Sequence, residues 1–196
     1  MKKIITISRE FGSGGGEIGR EAAKRLGFEY YDKDIILQAA RTANLDQYDT
    51  QAFDEKLIPR FGFTQSLFDM YNDPLDERLF AAQKQVIRKF AEHGNCVIVG
   101  RNANHILREF DHALHVFVHA DKEWRIARMK KEKMAEYSVD KIAQHLKDVD
   151  KARKKYCSYY TDTVFGAAEF YDLCVCTSSL GVDTCVDLIC SVAERD

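Results

Sequence analysis

From Gly12 to Gly19 the chain reads GSGGGEIG, five glycines in eight residues, between the apolar run KIITIS and an amphipathic stretch. Glycine lets backbone amides come close to an anion, and the helix that follows turns its partly positive N-terminus toward it. The chemistry such a junction serves is the binding of phosphate. A plain chain reversal is the weaker reading, because so many glycines cost backbone entropy with no side chain to offset it.

Two fingerprints compete for this stretch. Gly14-x-Gly16-x-x-Gly19 fits the dinucleotide-binding pattern, with Asp32 near the place of a ribose-binding acid. Arg9, Glu10 and Phe11, however, separate the strand from Gly12, which is the spacing of a wider loop that wraps its amides around phosphate. A G-x-x-x-x-G-K-[ST] loop would carry a lysine, and this stretch has none. Glu17 stabilises a helix N-terminus but repels a triphosphate unless a divalent ion such as Mg lies between them.

Arginines offer the second half of a phosphate site, since a guanidinium grips phosphate in a bidentate fork. Arg101 follows the apolar run CVIVG, at the carboxyl edge where parallel α/β sheets bind ligands. Arg125 and Arg128 lie three apart beside Lys130, Lys131 and Lys133, so a solvated basic face is an equally ordinary reading. Asp150 and Arg153 at i, i+3 could form a surface ion pair of about 0.3 kcal/mol. His112, His115 and His119 lack Cys, Asp or Glu at zinc-ligand spacing, which disfavours a metal site. Tyr156, Tyr159 and Tyr160 read as a helix end packed on the core rather than a platform for a base.

These residues need a frame. KIITIS, FEYY, CVIVG, LHVFVHA and YDLCVCT read as five strands. Between them lie a helix with Ile18, Ala22, Ala23 and Leu26 closed by Gly27, and one capped by Asp32 with Ile35, Ile36, Ala39 and Ala40 on one face. A long helix follows with Leu79, Phe80, Gln83, Val86, Ile87 and Phe90 inward, then helices near 102–108, 122–134, 139–160 and 182–193. The alternation predicts a parallel sheet covered on both faces. The 196 residues make one domain, 1–196, with an insert at about 44–76 that contains both prolines and is rich in Phe, Tyr and Asp.

Composition narrows the function classes. Lys plus Arg number 29 against 31 Asp plus Glu, a net charge of −2, which gives no bias toward nucleic acid. No run is apolar enough to span a membrane, and MKKIITISRE is too short and too soon charged for a signal peptide. The six cysteines form no C-x-x-C pair and read as reduced core or near-core thiols of a cytoplasmic protein.

Taken together, ITISREFGSGGGEIGREAAKRLGFEYYD, VIVGRNANHIL, LHVFVHADKEWRIARM, DVDKARKKYCSYYTD and YDLCVCTSSLGVD resemble, in order and spacing, the segments of bacterial cytidylate kinases. The glycine pattern looks like that of the divergent cytidylate kinase-like family. Gly12, Ser13, Gly14 and Gly16 match the phosphate-binding loop of the bacterial cytidylate kinases, while Arg9, Gly15 and Glu17 stand at that loop's first glycine, its lysine and its magnesium-binding hydroxyl. Gly100 and Arg101 match a G-R-D segment in which Asn102 replaces the Asp.

The resemblance implies a P-loop NTP hydrolase fold of nucleoside-monophosphate-kinase type, with acceptor recognition in the insert and a lid at about 125–155. It implies ATP and Mg as cofactors and a small-molecule nucleotide as substrate, with CMP or dCMP the first candidate. Arg101, with Asp32 and Asn102, would hold the acceptor. Arg125, Arg128 and Arg153, with Asp150, would close over the donor, and Arg9 or a lid arginine would replace the lysine. The rival readings are a catalytically weak or inactive nucleotide- or phosphate-binding protein on a kinase fold and, third, a dinucleotide binder.

Overall fold

The computed structural model describes residues 3–37 and 77–195. The expected insert at 44–76, with Ala39 and Ala40, lies outside them. Strand β1 (Ile4–Arg9) is followed by helix α1 (Gly15–Leu26), strand β2 (Glu29–Tyr31) and a helical stretch at 33–37. After this come helix α2 (Glu77–His93), strand β3 (Cys96–Val99), the short helix α3 (Ala103–Ile106) and strand β4 (Ala113–His119). Helices α4 (Lys122–Glu132) and α5 (Val139–Tyr160), strand β5 (Leu173–Cys176), and helices α6 (Thr177–Leu180) and α7 (Val182–Glu194) complete the chain.

The five strands form one parallel sheet in the order β2-β3-β1-β4-β5. Residues alternate across it. Ile5 and Ile7 join Val97, Val99, Leu114, Val116 and Val118 under α1 and α7, with Ile18, Val186 and Ile189 fully buried in that layer. Ile4, Cys96, Ile98 and Ala113 face the other way, under α2, α3 and Ile36. With both faces covered, the central strands read as nearly continuous apolar runs. Polar Thr6 and Ser8 are tolerated there because each finds a partner: Thr6 Oγ1 lies 2.8 Å from His115 Nδ1, and Ser8 Oγ donates to Asn104 Oδ1 at 3.4 Å.

The connection rule places the site. The chain leaves β1 toward β3 and β2 on one side and returns to β4 on the other, so the order reverses at β1. Ligands of open α/β sheets bind at such a reversal, outside the carboxyl ends of the strands. Arg9, Gly100 and Thr177 all lie at that edge, each at or just after the end of its strand.

Two local expectations need correction. Ile35 is 39% exposed while Ile36 is fully buried, since only one edge of the stretch at 33–37 meets the sheet. Cys174 is exposed and Cys176 only half-buried on the edge strand β5, whereas Cys96, Cys157, Cys185 and Cys190 are buried. No helix among the described residues is long and apolar enough to cross a membrane.

Candidate functional site

The loop between β1 and α1 is pinned to its surroundings by its own backbone. Glu10 N–H donates to Val118 O at 3.0 Å. The Ser13 hydroxyl, fully buried, lies 2.9 Å from Glu10 O and 3.1 Å from Val118 O. It therefore holds the loop rather than facing a ligand, and Ser13 can serve phosphate only through its backbone. Thr177 Oγ1, at the end of β5, lies 2.7 Å from Ser13 O and 3.1 Å from His119 O, which ties the loop to two further strands.

Gly14 is the N-cap of α1 with φ 87°, a left-handed conformation that a β-carbon resists. The first intrahelical bond runs from Ile18 N–H to Gly14 O at 3.0 Å. The amides of Gly15, Gly16 and Glu17 thus precede the helix ladder, at the positive end of a twelve-residue helix. This is the geometry of an anion cradle.

Arg9 crosses that cradle. A β-carbon built on Gly15 would lie 2.6 Å from Arg9 Cβ and 3.0 Å from Arg9 Cγ, so the arginine stem fills the direction in which a side chain at 15 would leave the backbone. Farther along, a β-carbon on Gly100 would collide with Arg9 Nη1. The arginine therefore runs from the end of β1, past the glycine-rich loop, to the turn that follows β3.

That turn is itself unusual. Gly100, Arg101 and Asn102 have φ of 86°, 56° and 54°, three left-handed residues in a row, two of them not glycine. Each such non-glycine residue costs about 1–2 kcal/mol, and such strain concentrates at functional sites. Tyr156 of α5 supports the turn: the Arg101 guanidinium lies 5.2 Å from its ring centroid, and Asn102 Nδ2 donates to its carbonyl at 3.5 Å. The Tyr156 hydroxyl donates to Gln83 Oε1 at 3.0 Å, and Gln83 is almost wholly buried.

The expected lid arginines divide by role. Arg125 Nη1 lies 2.6 Å from Asp150 Oδ2 and donates to Phe11 O at 3.2 Å, while Asp150 Oδ1 accepts the Phe11 N–H at 2.7 Å. The pair brackets both sides of one loop residue, with side chains 11% and 13% exposed. Asp150 thus pairs with Arg125 of α4, not with Arg153 on its own helix. Arg153 instead donates from Nη1 to Arg9 O and sits 5.8 Å from the Phe11 ring centroid. Arg125 Nε also faces Glu10 Oε2 at 3.7 Å, and that carboxylate accepts the Ala120 N–H at 3.2 Å. Nothing in the sequence beyond their place in the loop singled out Glu10 and Phe11.

Arg128 faces the cradle. Its Nη2 pairs with Glu17 and lies 3.2 Å from Glu132 Oε2, and a β-carbon on Gly14 would be 3.2 Å from its Nη1. The guanidinium of Arg128 and the carboxylate of Glu17 therefore meet at the mouth of the loop. Tyr30 closes the opposite side, its hydroxyl donating to Gly16 O at 3.4 Å; burial first, and then Asp32, push its phenol above the usual range. Asp32 caps the stretch at 33–37, its Oδ1 accepting from Asp34 N at 3.1 Å and Ile35 N at 3.3 Å. Among the described residues no three His, Cys, Asp or Glu come together as a metal site, and His115 is engaged with Thr6.

Solved structures share this fold. An uncharacterized protein from Eubacterium ventriosum is 25% identical, with 98% of this chain and 99% of that one covered at a TM-score of 0.76. A shikimate kinase from Bacteroides thetaiotaomicron superposes over 100% of both chains at 12% identity and a TM-score of 0.55. A gluconokinase from Sinorhizobium meliloti covers 98% of this chain and 94% of its own at 13% identity and a TM-score of 0.55. The two kinases show a common α/β P-loop kinase fold. No functionally curated protein matches the chain. The sequence profile described as "Cytidylate kinase-like family" matches residues 4–179, and the chain belongs to that family.

Proposed function

We propose that the protein transfers the γ-phosphoryl group of ATP to a small acceptor held beside the Gly100–Asn102 turn, with a nucleoside monophosphate, CMP or dCMP first, as the acceptor class. The observation that carries this reading is the path of Arg9 across Gly15 to Gly100. It sets one permanent positive charge along the line between an amide-lined donor loop and an arginine-bearing acceptor turn.

Phosphoryl transfer asks for two phosphates in line and an offset for the charge on the transferred group, with little covalent help. In this reading the amides of Gly15, Gly16 and Glu17 and the dipole of α1 hold donor phosphate, and Arg9 does the work of the missing lysine. Arg101 holds the acceptor. Arg128, released from Glu17, closes on the donor. Arg125, Asp150 and Arg153 keep Phe11 and Arg9 in place, as positioning residues.

The family implies magnesium, and the donor chemistry fits: Glu17 supplies hard carboxylate oxygens beside the cradle, the ligand type that magnesium takes along with substrate phosphates. When bound, the ion would supply charge compensation between Glu17 and the phosphates. The competing reading, a phosphate-binding protein without transfer, is favoured by one observation: Glu17 lies within the cradle and occupies Arg128.

Transfer of labelled γ-phosphate from MgATP to a panel of nucleoside monophosphates separates the two. Transfer to one acceptor, reduced at least about 100-fold by Arg9→Ala, is expected for a loop whose charged donor has moved. Micromolar ATP binding with no transfer to any acceptor would replace the kinase reading by the binding one.

A further inference from the structure

A pocket separate from the glycine-rich loop opens between α2 and α3. Lys84 and Arg88 come from one edge of α2, His105 and Arg108 from α3 and the turn after it, and Phe80 and Tyr160 form its aromatic side. Phe80 and Tyr160 are stacked at 4.0 Å between centroids and 13° between planes. We infer that this pocket binds the phosphate or carboxylate group of a small molecule, as a second anion site.

Charge is the first argument. Lys84, Arg88 and Arg108 contribute three permanent positive charges, against Glu109 in the wall and Asp162 at the rim. Asp162 is already engaged, 3.2 Å from both Arg108 Nη1 and His105 Nδ1. Among the described residues no carboxylate pairs with Lys84 or Arg88; Arg88 lies over the Phe110 ring, 5.5 Å from its centroid. Like charges one helical turn apart repel, so Lys84 and Arg88 stand at a cost to α2 that an anion between them would remove.

The charges around the imidazole point the same way. Burial holds His105 below its usual range, Arg108 and Lys84 lower it further, and Asp162 opposes them. A bound anion beside the imidazole favours its charged form and so raises it.

The aromatic side links the pocket to the acceptor turn. Tyr160 meets Tyr156 at 4.8 Å, and Tyr156 carries the Arg101 guanidinium on its other contact. The anion has two possible sources with one chemistry: a distal acidic group of the acceptor itself, or a separate phosphorylated or carboxylated metabolite.

The test is a pH titration of the His105 ring by NMR in the full chain, with and without inorganic phosphate. Saturable phosphate binding that raises the His105 titration midpoint is expected, weakened at least tenfold in Lys84→Gln/Arg88→Gln and unchanged in Arg9→Ala. Because Lys84 is exposed and Arg88 half-buried, the glutamine variant keeps the core intact, which its thermal melt verifies. A His105 midpoint that phosphate does not move, or a shift undiminished in the glutamine variant, overturns the proposal. Once the parent shows the effect, its retention in Arg101→Ala assigns the pocket to a separate anion, and its loss there assigns the pocket to an acidic group of the acceptor. The readout needs no transfer activity, so it stands or falls apart from the kinase reading.

Discussion

Arg9 and Gly15 exclude any side chain larger than glycine at position 15: a β-carbon there would lie 2.6 Å from Arg9 Cβ, closer than such atoms approach in proteins. In the bacterial cytidylate kinases that the loop resembles, a lysine stands at the place of position 15 and a glycine at the place of position 9. The two departures in this chain are thus one steric exchange. Relative to that loop, a long cation stands at the end of the strand instead of the start of the helix, and the small residue stands the other way round.

The exchange predicts non-additive behaviour. Gly15→Lys alone overpacks the loop and should destabilise the fold by about 1–3 kcal/mol, with loss of ATP binding. Arg9→Gly/Gly15→Lys, which restores the ordinary order, should recover both. Thermal melts and ATP titrations of the two single variants and the double variant check this, and additive losses would remove the exchange as an explanation.

Breaking the clamp on Phe11 should cost more than a surface pair. Asp150→Ala leaves Arg125 nearly buried without its carboxylate and Phe11 N–H without its acceptor, an expected loss of about 3–5 kcal/mol in denaturant unfolding. Arg153→Ala, which removes a bond to Arg9 O, should cost less stability and act mainly on nucleotide affinity.

The left-handed turn predicts a trade of stability for binding. Arg101→Gly relieves about 1–2 kcal/mol of backbone strain and gives up the contact with Tyr156, worth about 0.5–1 kcal/mol. The variant should melt no lower than the parent, while acceptor KM rises at least about tenfold through loss of a charged hydrogen bond. A melting point several degrees lower would mean that the turn is held by Arg101 rather than strained by it.

Glu17 should act through charge. Glu17→Gln removes the carboxylate from the cradle and leaves Arg128 paired with Glu132 alone, so ATP binding without magnesium should tighten several-fold while the gain from adding magnesium shrinks. Calorimetry with and without the metal measures both. Equal affinities in the parent and the variant under both conditions would place Glu17 outside the donor site.

The thiols should react in a fixed order. Cys176 is half-buried, and the side-chain hydrogen bond with Ser178 holds its thiol below the usual range, whereas burial pushes Cys96 up to about 12. Since the thiolate is the nucleophile, iodoacetamide near pH 8 should label Cys176 first and leave Cys96 unmodified in the folded protein, as read by mass spectrometry.

The strands, most helices and the glycine-rich junction were legible in the sequence because they rest on local signals. The apolar, β-branched run in IITISR, helical spacing of Ile18, Ala22 and Ala23, and Gly27 with φ 68° after the last turn are all properties of neighbouring residues. The place of the glycine-rich loop and of Arg101 at the sheet edge followed from the same signals, because a strand's carboxyl end is known once the strand is. Side-chain partners were not legible. Asp150 and Arg153 looked like a pair because three residues separate them on one helix, yet Asp150 reaches across 25 residues to Arg125 and 139 residues to the Phe11 amide. The Ser13 hydroxyl holds Val118 O across 105 residues, which nothing local announces, whereas the Asp32 cap, made within three residues, was legible.

What the sequence by itself determined is the order of elements and the residues available at each strand end. Only the tertiary structure decided which cation stands in the cradle, which ones brace it, and that Lys84 and Arg88 meet His105 and Arg108 in a pocket of their own. The physical reason is range: periodicity and capping act within a few residues along the chain, while charge pairing and packing act between whatever the sheet order brings together.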